Sequence, residues 1–214
     1  MTPHRAILAA FLALATSSVA QQIVNRYDNS PRLIHDVLQN AHVSGSLIYS
    51  ATCPRVGRFP EVPAVRLPLY PGSPAEVLQK MFGGDSKMQV TQEPSGMVRM
   101  AETDVPTDIL EIKIHHISFH DSALGSDPVG GPRLAMMRVL VAPEVIAFTK
   151  EHGITTGGLL FEGIYPKLAE VPGELNEVTL AQALDYILTA FPGYWVYENC
   201  TTPDGRRSVN FQFW

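Results

Sequence analysis

The sequence predicts an α+β fold: small mixed or antiparallel sheets with amphipathic helices, built from repeated helix–strand (βαββ-like) modules and stapled by a disulfide. Three observations predict it. The first is a repeat. Leu33 to Cys53, "LIHDVLQNAHVSGSLIYSATC", and Leu180 to Cys200, "LAQALDYILTAFPGYWVYENC", each read helix, then strand, then cysteine, with the same spacing from leading Leu to closing Cys. The second is a pattern of strand, helix, strand, strand at about 65–102 and again at about 173–214. The third is the cysteine count. Cys53 and Cys200 are the two cysteines of a chain that starts like an exported protein, where paired thiols oxidise.

The leader comes first in chain order. "MTPHR" carries one Arg, "AILAAFLALA" is an apolar core, and "TSSVA" supplies the small residues that a signal peptidase needs. Cleavage after Ala20 leaves 21–214 as the exported α+β domain. The apolar core is shorter than the roughly 20 residues that span a bilayer. Removing Arg5 takes the formal charge from −5 to −6. A mildly acidic chain disfavours nucleic acid or an anionic membrane as the main partner.

Ser30-Pro31 is a helix start, with Ser as N-cap and Pro in the first turn. Leu33, Val37 and Ala41 share a face with Leu38 beside them, Gly45 ends the unit, and "SLIYSAT" is a strand. The proline-rich stretch from Cys53 to Pro74 excludes a long helix or a central strand, though "AVRLPLY" suits an edge. Ser73-Pro74 repeats the start signal, and Val77, Leu78, Met81 and Phe82 line one helical face before Gly83-Gly84. "KMQVTQE" and "GMVRMAE" flank "PSG" as a hairpin.

"VPTDILEIKIHHISFH" is the longest strand-like run, with Ile112, Ile114 and His116 on one face and Lys113, Ile117 and Phe119 on the other. "DSALGSDPVGGP" is a loop, and "RLAMMRVLV" fits a strand or a buried helix. Pro143 and Gly153 bracket a short helix. "ITTGGLLFEGIYPKLAEVPGE" is irregular or strand-like. Thr179 caps a helix whose apolar face is Leu180, Leu184, Ile187 and Leu188. "YWVYENC", the turn "TTPDG" and "RRSVNFQFW" complete a final hairpin. In that last strand Ser208, Asn210 and Gln212 alternate with Val209, Phe211 and Phe213. One polar and one apolar face suit a soluble sheet, not an outer-membrane barrel.

Two stretches, "VRLPLYPGSPAEVLQKMFGGDSKMQVTQEPSGMVRMAE" and "ELNEVTLAQALDYILTAFPGYWVYENCTTPDGRRSVNFQFW", resemble the short N-terminal (STN) domain of secretins and TonB receptors, a βαββ periplasmic module. "VTLAQALDYIL" matches best. Residues 1–214 hold neither a barrel nor a secretin domain beside these two stretches. The resemblance implies an envelope interaction or sensing module that does no catalysis.

Candidate chemistry centres on "HHISFHD". A metal site there would use His116, His120 and Asp121. On a strand, His116 and His120 lie about 13 Å apart, at roughly 3.3 Å per residue. One ion held about 2.0–2.1 Å from each nitrogen cannot span that. His115 points the other way, so such a site needs a turn after Phe119 and ligands from elsewhere, such as His35, His42 or His152. His35 and His42 are about 10 Å apart along a helix axis and do not chelate together. A hydrolase would draw on carboxylates such as Glu111, Asp121 and Glu162, but the chain has no Gly-x-Ser-x-Gly elbow and no His-Glu-x-x-His. "GGPR" and "TGG" lack a phosphate-loop pattern, so no cofactor is expected, and the catalytic residues are unknown.

Tyr194-Trp195-Val196-Tyr197 suits core packing or a sugar-stacking platform. Asn199-Cys200-Thr201 fits a glycosylation acceptor. The two cysteines pair within the chain, pair between chains, or stay free. An intramolecular bridge would close nearly the whole mature chain, and in the chain-entropy model it contributes about 5 kcal/mol. The reading favoured is a secreted or periplasmic, non-catalytic interaction module with a protein partner, reached through an edge strand. A metal-binding protein and a secreted hydrolase are the alternatives.

Overall fold

The computed structural model describes residues 30–52, 72–82, 87–119, 131–157, 160–161, 171 and 173–214. The proposed leader, Cys53, His120, Asp121, Glu162 and "AVRLPLY" lie outside them. The elements run α1 (Ser30–Asn40), β1 (Gly45–Thr52), α2 (Pro74–Met81), β2 (Met88–Gln92), β3 (Val98–Glu102), a 3-10 turn (Asp108–Glu111), β4 (Lys113–Ser118), α3 (Gly131–Leu140), α4 (Pro143–Glu151), β5 (Thr155–Thr156), β6 (Leu160–Phe161), β7 (Glu174–Thr179), α5 (Leu180–Ala190), β8 (Tyr194–Thr201) and β9 (Arg207–Phe213). The fold is mixed α+β, with five α-helices among the described residues.

The helix starts follow local chemistry. Ser73 and Thr179 each form a full capping box, with Glu76 and Gln182 at the third helical position. Pro143 opens α4, and Gly153 follows its end with φ 61°. "RLAMMRVLV" resolves as helix α3, because a ten-residue run with Ala135, Met136 and Val139 buried suits one helical face better than a strand.

The main sheet has the order β2-β3-β1-β8-β9-β5, and β6 also pairs with β9. β1 runs parallel to β3 and to β8, while β2 and β9 are antiparallel to β3 and β8. β5 and β6 add two short parallel stubs to the far side of β9. Gly45 is needed where β1 meets β3, since a Cβ there would lie 2.5 Å from the Val98 carbonyl oxygen. β4 and β7 form a separate antiparallel pair.

The two halves of the repeat therefore lie side by side, but their register is not that of the repeat. The paired residues of β1 and β8 are 149 apart, as in Tyr49 and Glu198, so Cys200 sits beside Ala51. The two helices also cover opposite faces. Ile34, Val37 and Leu38 of α1 join Val77, Leu78 and Met81 of α2 over Leu47, Tyr49, Val98, Met100 and Val196. Leu180, Ala183, Leu184, Ile187 and Leu188 of α5 join α3 and α4 over Trp195, Tyr197, Val209, Phe211 and Phe213. Burying such side chains contributes about 1.5–3 kcal/mol each, so α5 is a principal support of that face. Of the module expected at about 65–102, α2, β2 and β3 are described and its leading strand "AVRLPLY" is not, whereas β7-α5-β8-β9 follows strand, helix, strand, strand within 173–214. In that second set β7 pairs with β4, outside the main sheet that holds β8 and β9.

The long strand expected from "VPTDILEIKIHHISFH" is split into the 3-10 turn and β4. Its simple alternation also fails. Ile114 and Ile117 are both buried in one cluster, while His115 and His116 are both exposed. The phase shifts opposite Glu177, whose φ of 55° interrupts the β4–β7 pairing at His115.

Candidate functional site

Three polar clusters, one exposed helix face and the sheet edges are the places where the described residues offer chemistry or contact. The first cluster ties α5 to β3. Both carboxylate oxygens of Asp185 accept from the Arg99 guanidinium, and the indole Nε1 of Trp195 donates to Oδ1 at 2.8 Å. Arg99 also donates to Glu93 and Ser46. Burial opposes the charge on Arg99, but hydrogen bonds to Asp185 and Glu93 outweigh it and hold its pKa above the ordinary value.

The second cluster clasps the 3-10 turn to β8 and β9. Arg207 donates to Asn199 Oδ1 at 2.5 Å, to Asp108 Oδ2 at 2.8 Å, to the Tyr197 hydroxyl at 2.7 Å and to the Pro106 carbonyl at 3.0 Å. The Arg207 hydrogen bond lowers the Asp108 pKa, with burial opposing it. Asn199 is buried and holds Arg207, so the glycosylation pattern falls on a side chain inside the folded sheet.

The third cluster is a row across the face covered by α1. Glu198, 4% exposed, accepts from the Tyr49 hydroxyl at 2.5 Å and from Asn210 Nδ2 at 3.4 Å. Tyr49, Glu198 and Asn210 are directly paired across β1, β8 and β9. Gly157 leaves room for Asn210, since a Cβ there would lie 1.4 Å from Oδ1. Sequence reasoning did not single out Glu198. The signal was present: a Glu in the middle of an otherwise apolar, aromatic strand.

Of the sequence-derived metal ligands, His116 alone lies among the described residues. His116 lies with Nδ1 2.9 Å from Asn176 Oδ1. His120 and Asp121 lie outside the described residues. His115, unassigned as a ligand, has Nδ1 2.8 Å from Glu177 Oε1, and that contact raises its pKa. Glu177 also pairs with Lys113 at 3.1 Å. Among the described residues no group of three or more His, Cys, Asp or Glu side chains is arranged to hold a metal ion. Glu111 is exposed on the 3-10 turn. Tyr194, Trp195 and Tyr197 are buried, so the stacking-platform option is overturned: the aromatic run is core.

Among the described residues, the sheet edges are guarded. On β2, Lys87 O and Glu93 N bond toward β3, to Thr103 and Met97, so Met88, Val90 and Gln92 turn their main-chain groups outward. Gln79 of α2 covers two of them: it donates to Met88 O at 3.3 Å and accepts from Val90 N at 2.9 Å. On β4, Glu144 accepts from His115 N at 3.1 Å. β9 is followed by β5 and β6. β7 is blunted by left-handed Glu177 and exposed Glu174.

Among the described residues, α4 is the exception to a polar exterior. Pro143, Ile146, Ala147 and Lys150 recur at helical spacing on its outer face and are all exposed, with Val141 just before them. Val141 is 54% and Ile146 51% exposed, the two exposed large hydrophobics among the described residues. No helix among those residues is long and apolar enough to cross a membrane. Compared with protein-family models, with curated proteins and with solved structures, the chain matches none.

Proposed function

We propose that this chain is an exported, non-catalytic interaction module that docks a protein partner through the outer face of α4. One observation carries the reading: a solvent-facing helix surface that presents Val141, Pro143, Ile146 and Ala147 where polar residues are the rule. The partner offers an apolar recess, with an acidic group placed for Lys150. Side-chain docking of this kind replaces the strand addition expected from the sequence, because the edges carry guards.

Export to a secreted or periplasmic space is part of the proposal, supported by the leader pattern of residues 1–20. So is a Cys53–Cys200 bridge. It is supported by Ala51, two residues before Cys53 in the sequence, being the parallel neighbour of Cys200. The likeness to the short N-terminal domain of secretins and TonB receptors rests on the order strand, helix, strand, strand of β7-α5-β8-β9, although β7 pairs outside the main sheet.

The test is a crosslinking pull-down with mature, oxidised protein in its own extracellular or envelope fraction, run beside Ile146→Asp and Val141→Asp. One stoichiometric protein partner, lost by both variants while their circular dichroism is unchanged, is the expected outcome. Capture unaffected by either variant would move the surface elsewhere, and no specific partner would reject the reading.

A further inference from the structure

We propose that the outer edge of β2 is a latent pairing site for a second copy of this chain, held closed by the side chain of Gln79. The argument starts from the two bonds that Gln79 makes. Its amide donates to Met88 O and accepts from Val90 N, copying the donor and acceptor of a neighbouring strand. An exposed side chain on α2 thus occupies the groups through which another strand would add.

The strand beneath that cap suits self-pairing. Met88–Gln92, "MQVTQ", holds no charge and no proline, and contains the β-branched Val90 and Thr91. Gln89, Thr91 and Gln92 are exposed and Val90 is half-buried. An antiparallel pair of copies centred on Val90 sets Val90 against Val90, Gln89 against Thr91 and Met88 against Gln92. Within the strand no charges meet, and just beyond its ends Lys87 of one copy faces Glu93 of the other. Because Met88, Val90 and Gln92 turn outward, the bonds run from Val90 N to the Val90 carbonyl of the other copy and from Gln92 N to its Met88 carbonyl. Val90 N and Met88 O are the two groups that Gln79 takes. The cap and the second copy therefore exclude each other.

The occupant is a second copy, not an arbitrary peptide, because the register is symmetric, sets Lys87 against Glu93 of the other copy at both ends, and closes as an isologous two-fold interface. The sheet would continue through it, from β2 of one copy into β2 of the other. A five-residue edge is small for a stable interface, so the capped protein stays monomeric at ordinary concentrations.

Sedimentation equilibrium on the mature chain tests this. Gln79→Ala replaces an exposed helix residue with a better helix former, so the fold is kept. It is expected to tighten self-association by on the order of tenfold to a hundredfold, the worth of about one net hydrogen bond at each of two caps. Adding Val90→Pro removes the outward N–H without touching the β3 ladder and returns the protein to monomer. Should that variant misfold, Gln89→Lys with Thr91→Lys serves instead: both sites are exposed, and the register sets lysine against lysine. Exchange of the Val90 amide in Gln79→Ala slows as protein concentration rises. If Gln79→Ala associates no more tightly than the parent, the proposal is wrong. It is equally wrong if association survives the lysine pair, or if Gln79→Ala stays monomeric and captures a different protein.

Discussion

Two carboxylates near the middle of the sheet solve the same problem in different ways. Asp185, on α5, faces a guanidinium and an indole N–H. Glu198, on the opposite face of the sheet, is more deeply buried, yet among the described residues its side chain meets only a hydroxyl and an amide. Placing a charge in a low-dielectric interior is costly unless a counter-charge or several good donors compensate. Arg99 compensates Asp185, and the pair spans β3 and α5, so it fixes how that helix lies on the sheet. At Glu198 no cation stands within salt-bridge distance among the described residues, and the row Tyr49–Glu198–Asn210 links three neighbouring strands instead. One network orients a helix, and the other marks a register.

The largest effect is expected from breaking the first. Arg99→Met leaves Asp185 with Trp195 Nε1 alone. It should cost about 2–3 kcal/mol in urea unfolding, at the low end for a buried pair because Arg99 and Asp185 keep 19% and 18% of their side-chain surface exposed. Adding Asp185→Leu should recover most of the loss, and a double variant as unstable as Arg99→Met would show that the pair is not what fails.

The second network should respond in the opposite sense. Glu198→Gln keeps an acceptor for Tyr49 and removes the charge, so stability should stay within about 1 kcal/mol of the parent or rise. Tyr49→Phe deletes the shorter of the two bonds and leaves the carboxylate with Asn210, at a cost of about 1–3 kcal/mol. A large loss on Glu198→Gln would mean that the charge itself is required, and the contrast with Asp185 would collapse.

The smallest effect lies at the surface, where His115 and Glu177 form an exposed version of a paired carboxylate. Glu177 raises the His115 pKa. A raised folded-state value means a contribution present below the ordinary histidine pKa, about 6.5, and lost as pH rises through the folded value. Glu177→Gln should bring the His115 titration, followed by NMR, back toward the ordinary value. Near-zero change in midpoint would remove the ion pair from the account.

These cases show what sequence conveys. The cap of α5, the apolar faces of α2 and α5, and the alternation of Val209, Phe211 and Phe213 were legible, because they rest on contacts within a few residues. The β4 phase was not, because the interruption comes from Glu177 on another strand. Nor was the β1–β8 register: the cysteine spacing offered a plausible alignment, whereas the sheet sets Cys200 beside Ala51. The Gln79 cap is a bond between α2 and a strand about ten positions on, and nothing in "AEVLQKMF" distinguishes its glutamine from any solvated one. Long-range partners decide these features, and local patterns carry no record of them.

The central β1–β8 pair has a consequence for assembly. Its partners are separated by 149 positions in the chain, so most of the polypeptide must be present before the middle of the sheet can close. Until β8 arrives, β1 has an open side. Such an order favours slow, late closure and a period of exposure to association. In a translocated chain that period would fall on the far side of the membrane, where folding helpers meet an almost complete protein still lacking its middle.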